Sequence, residues 1–79
     1  MNEFETPVQQ AARHVAQGKA RVANQKALVA EFERDGHLEA AAIGRQILAE
    51  MQRHLTLAQD RLQRKRRAEP LSARVALDE

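Results

Sequence analysis

Apolar residues recur along this chain with a period of seven. Val8, Val15, Val22 and Val29 form one line, and Ala11, Gly18, Gln25 and Phe32 fill the companion positions of the same stripe. Further on, Ala41, Leu48, Leu55 and Leu62 form a second line accompanied by Gly44, Met51, Ala58 and Lys65. This spacing keeps one side of an α-helix apolar, whereas a half-buried strand would alternate every second residue. The pattern predicts two long helices and no strand.

Local signals set the ends. Thr6-Pro7-Val8-Gln9 places a hydroxyl at the N-cap, Pro at the first helical position and Gln where its side chain reaches back to the cap. Gly36 is the natural left-handed residue at a helix C-terminus. Pro70 disfavours helical geometry in Glu69 and so predicts a stop. The expected organisation is an N-terminal arm over 1–5, a helical hairpin over 6–69 with helices at about 7–35 and 38–68, and a C-terminal tail over 70–79. Each helix is about 45 Å long at 1.5 Å per residue.

If the chain reverses at Gly36-His37, the two stripes fold onto each other. Val29 then faces Gly44, Gly18 faces Leu55, Ala11 faces Leu62, Val15 faces Ala58 and Phe32 faces Ala41. Large meets small at nearly every layer, as close packing requires. Gln25 opposite Leu48 is the polar exception, a residue that fixes register at some cost in stability. The predicted fold class is all-α, an antiparallel two-helix hairpin.

One seam of Ala, Gly and Val removes little surface from water, and ordering each residue costs roughly 1.5 kcal/mol. Apolar residues remain outside it: Leu28 and Ile47 on one flank, Ile43 and Leu57 behind. An alanine stripe, Ala16, Ala20, Ala23, Ala27 and Ala30, is expected to join Ile43, Ile47 and Leu57 in one docking surface. His54 continues the Ile43, Ile47, Leu57 stripe as an interface histidine. These positions predict a homodimer that forms a four-helix bundle, with protein-interface residues Leu28, Ile43, Ile47, His54 and Leu57.

Composition narrows the function classes. The chain has 79 residues and no Cys, so neither a disulfide framework nor a thiolate metal site helps a domain this small. Trp and Tyr are absent and Phe occurs twice. No window approaches the roughly 18 apolar residues that span a bilayer, and the acidic N-terminus lacks an apolar stretch. The expected location is the cytoplasm, without a membrane partner, since a basic amphipathic arm lacking aromatic anchors is poorly suited to a lipid surface.

The acidic run Glu31-Phe32-Glu33-Arg34-Asp35-Gly36 partly resembles a calcium loop. An EF-hand aligned on its Asp-Gly needs a bidentate glutamate where this chain has Ala42, so the stretch reads as a bend. His14, His37 and His54 share no helical turn, and Glu50 before His54 is an ordinary i,i+4 helix pair. The only hydroxyls are Thr6, Thr56 and Ser72, none set beside a base and an orienting acid. No Gly-rich phosphate loop occurs. The expectation is a chain with no catalytic residue, no cofactor and no metal.

Charge adds one alternative. Thirteen Lys and Arg oppose eleven Asp and Glu, a formal +2, too little to imply nucleic acid by itself. Arg61, Arg64, Lys65, Arg66 and Arg67 nevertheless form a basic helix end that could track phosphates. The opposing reading is that cations at a helix C-terminus favour the macrodipole, with Glu3 and Glu5 brought near them and Asp60 paired to Arg64. No aromatic residue is interleaved to stack bases. The hairpin also sets like charges beside the seam: Lys26 near Arg45, Arg21 near His54 and His14 near Arg61. Such pairs suit an acidic partner or phosphates better than a self-sufficient coiled coil.

The run ARHVAQGKARVANQKALVAEFERDGH, followed by ILAEMQRHLTLAQDRL, resembles a group of short uncharacterised bacterial proteins with a His-Val opening, an Asp-Gly-His bend and a Leu-rich second arm. The resemblance covers about residues 12–62. It implies a bacterial cytoplasmic helical hairpin and transfers no activity and no functional residue. The functional expectation is a small non-enzymatic interaction module with a regulatory role, one that self-associates and binds another helical protein. The alternative is a weak nucleic-acid binder using the basic end.

Overall fold

The computed structural model describes residues 5–78, with side chains to residue 68. It is an antiparallel hairpin of two helices, α1 (Pro7–Arg34) and α2 (Leu38–Asp78). The described chain measures 65 × 23 × 13 Å. Both expected helices form, and the chain reverses at the expected glycine.

The start of α1 is built by the capping box read from the sequence. Thr6 Oγ1 accepts from the Gln9 N–H at 3.0 Å, and Gln9 Oε1 accepts from the Thr6 N–H at 2.9 Å. Two helix-end donors that nothing else would satisfy are thereby paired. Glu5, one residue earlier, folds back on α1 and accepts two hydrogen bonds from Arg13, at 2.9 and 3.1 Å. Those bonds, and the charge behind them, hold the guanidinium's pKa above its ordinary value. Glu5 is therefore engaged on its own helix instead of neutralising the basic end of α2. Glu3 lies outside the described residues.

The turn is a Schellman motif. The Gly36 N–H donates to Glu33 O at 3.2 Å and the His37 N–H donates to Phe32 O at 2.9 Å, so the last carbonyls of α1 are satisfied. Gly36 has φ +76°, in the left-handed region where a Cβ is unfavourable. Phe32 and His37 stack with ring centroids 6.3 Å apart and planes 12° apart, supplying the contact that accompanies this motif. His37 O then accepts from the Ala41 N–H and opens α2. The acidic run is a helix end and its bend, as the sequence reading held.

The expected register is the observed one. A Cβ on Gly44 would lie 2.9 Å from Val29 Cγ2, and one on Gly18 would lie 3.1 Å from Leu55 Cδ1. Ala11, Val15 and Leu62 form a buried cluster, with Leu55 and Ala58 packed against it. Val22, Val29 and Ala41 are buried further along the seam. Gln25 extends across and donates its amide N–H to Gly44 O at 3.0 Å. A carbonyl already used within a helix accepts this second bond because Gly44 has no side chain to block the approach.

The stop expected at Ala68 does not occur. α2 continues through Pro70 to Asp78, across the segment expected to be a tail. Proline in a helix interior costs about 3 kcal/mol, a penalty that flanking helix formers offset when the helix is already nucleated. Arg66-Arg67-Ala68 before it and Ala73 to Leu77 after it are mostly of that kind. α2 thus outruns α1 by roughly 18 Å at 1.5 Å per residue.

Candidate interaction face

Every buried apolar residue on the seam is an Ala or a Val except Leu62. Leu48, Met51 and Leu55 are half-buried on the seam, and further large aliphatic side chains lie outside it. Leu28 is 41% exposed, Ile47 48%, Leu57 53%, Ile43 58% and Leu38 71%. Burying a Leu or Ile side chain contributes about 1.5–3 kcal/mol, so these half-exposed side chains hold apolar free energy that the hairpin alone does not realise.

The geometry of one flank shows that four of these residues share a side. His14, Gln17 and Arg21 from α1 face Met51 and His54 from α2 across a shallow groove of about 340 Å³ floored by Gly18 and Leu55. Seven residues bring a helix back to nearly the same side, so Leu28 follows Arg21 on this flank and Ile47 precedes His54 on it. Ile43 is one turn before Ile47, and Leu57 lies three residues after His54. The flat side of the hairpin is therefore apolar toward the turn, grooved and cationic at mid-length, and apolar again at Leu57.

The alanine stripe does not belong to this face. Glu33 and Arg45 pair at 2.7 Å on the opposite flank, and Ala30 and Ala23 share the Glu33 side of α1. The single docking surface expected from the alanines together with Ile43, Ile47 and Leu57 is thus divided between two sides of the hairpin. The spacing of the alanines is helical, but their phase carries them away from Leu28. Arg45 also takes Glu33 in place of the like-charged contact expected with Lys26. Glu50 pairs with Arg53 at 3.2 Å, leaving His54 exposed beside Arg21 at the groove.

Arg61, Arg64, Arg66 and Arg67 are exposed, and Lys65 is half-buried. No described carboxylate lies within ion-pair distance of them, Asp60 included. Four of the five are consecutive and so wrap around α2 as a collar. Arg61 lies seven residues after His54, on the grooved flank. Among the described residues, no group of three or more His, Asp or Glu stands close enough to hold a metal ion. No described helix is long and apolar enough to cross a membrane.

The structure places the expected interface residues Leu28, Ile43, Ile47, His54 and Leu57 on the surface, and shows a groove at Gly18 and a Glu50–Arg53 pair that the sequence reading did not contain. The groove could have been inferred: a glycine in the seam opposite a leucine leaves space on whichever side the leucine does not fill. Comparison with protein-family models, with curated proteins and with solved structures found no match. What stands of the resemblance to short bacterial proteins is the hairpin shape.

Proposed function

We propose that the chain is a small non-enzymatic interaction module whose flat face, carrying Leu28, Ile43, Ile47 and Leu57 with His54 among them, docks on another helical surface, in the first instance a second copy of itself. The observation that supports this is a surplus: Leu28, Ile43, Ile47 and Leu57 stand about half exposed outside a seam whose own leucines already pack against Gly, Ala and Val. Two hairpins stacked through such faces make a four-helix bundle, in which each face becomes core. A small seam alone gives little margin, and association adds stability by mass action.

Sedimentation equilibrium tests this reading. The expected result is a mass twice that of the 8.9 kDa chain at micromolar concentration. Ile47→Glu should shift the chain to monomer and lower its melting temperature.

A second reading follows from the basic collar, which no described carboxylate neutralises. Arg61, Arg64, Lys65, Arg66 and Arg67 would contact phosphates without reading sequence, with affinity falling steeply as salt rises. A mobility-shift titration at low salt should then show binding that Arg64→Glu with Arg67→Glu removes. Absence of any shift would exclude it.

A further inference from the structure

The flat face is complementary to itself when reversed end for end. On α2, Ile43 and Leu57 stand seven residues either side of Glu50, and Glu39 and Arg61 stand eleven either side. Seven and eleven residues are close to whole numbers of helical turns, so all five share one exposed stripe. Turning a second copy through a two-fold axis at Glu50 sets its Leu57 on Ile43, its Ile43 on Leu57, and its Arg61 beside Glu39. Each apolar residue meets an apolar one and each outer charge meets its opposite, while the two Glu50 carboxylates meet on the axis, each already paired with Arg53 of its own chain.

The first helix agrees independently. Because Val29 faces Gly44 and Gly18 faces Leu55, each step along α1 is matched by one along α2, and Ala23 lies level with Glu50. Leu28 is five residues to the turn side of Ala23, and Gly18 five residues to the other. The same axis therefore carries the second copy's Leu28 to the groove at Gly18, whose base includes Leu55, Ala58 and Met51. The Leu28 side chain then lies against the apolar floor of that groove, where Leu55 packs over Gly18 at 3.1 Å from the position of an added Cβ.

Long-range charge favours the same orientation. Among residues 5–68, the turn half carries Glu31, Glu33, Asp35 and Glu39 against Lys26, Arg34 and Arg45, whereas the open half carries Arg13, Lys19, Arg21, Arg53, Arg61, Arg64, Lys65, Arg66 and Arg67 against Glu5 and Asp60. Hairpins lying side by side in the same direction would set basic end on basic end along a 65 Å molecule. Reversed, acidic turn lies on basic end at both ends of the pair.

Resting on the proposed self-association and specifying its geometry, we infer that two copies pair antiparallel, α2 on α2 about an axis at Glu50, with Leu28 of each seated in the other's Gly18 groove. Sedimentation of Glu39→Arg, of Arg61→Glu and of their equimolar mixture tests it. Each variant alone opposes like charges at two places and should raise the dimer dissociation constant about tenfold. The mixture opposes arginine with glutamate at both places, so it should recover the native constant as a heterodimer. A mere folding defect in either variant would not be rescued by the other. Variants that dimerise like the native chain, or a mixture no tighter than its components, would overturn this geometry while leaving self-association standing. A native chain that stays monomeric would overturn both.

Discussion

At the scale of single residues, the seam depends on what is missing at Gly44. Helix propensity alone predicts that Gly44→Ala stabilises α2 by about 1 kcal/mol. The structure predicts the opposite sign. The added Cβ would meet Val29 Cγ2 at 2.9 Å, a methyl on a branched side chain with little freedom to move. Overpacking of this kind costs typically 1–3 kcal/mol, so a net loss of about 1–2 kcal/mol is expected in a urea melt at fixed protein concentration. A stabilised variant would mean that the helices are farther apart here. Gly36 is decided by backbone conformation instead, since its Cβ would have open space. Gly36→Val places a β-branched residue at φ +76°, with an expected loss of about 2 kcal/mol or more, while Gly36→Asn should lose much less.

At the scale of elements, the helices follow from signals that act within a few residues. The Thr6 and Gln9 capping box, the Gly36 turn and the seven-residue stripe are local, and each appears in the structure where the sequence places it. Thr6→Ala should lower stability by about 1 kcal/mol through loss of the cap, read as a lower melting temperature with the fold retained. What the sequence left obscure depends on phase or on competition. The alanine stripe has helical spacing, but only the partner helix shows which side it faces. Glu33 could not be assigned to Arg45, nor Glu50 to Arg53, because long flexible side chains on a helix surface have several reachable partners. Pro70 gives a strong local signal, yet the backbone of α2 passes through it, since one missing N–H does not by itself end a helix whose neighbours favour continuing.

At the scale of the whole molecule, a hairpin of this width has one seam and two flat sides, and the large exposed residues Leu28, Ile43, Ile47 and Leu57 stand on only one of them. Leu28, Ile43, Ile47 and Leu57 were legible as surplus to the seam because the heptad count left them over. The groove was not, because it arises from two helices meeting at Gly18 and belongs to neither alone. The same face places His14, Arg21 and His54 between its apolar parts, so any partner, a second copy included, has to accommodate a basic middle between apolar ends. The central claim, that this hairpin completes its core by association, is tested most directly by sedimentation equilibrium of the native chain from submicromolar to millimolar concentration. A reversible shift from 8.9 kDa to twice that mass, with melting temperature rising alongside it, is the predicted result. A single-chain mass across the whole range, with a cooperative melt independent of concentration, would contradict the account.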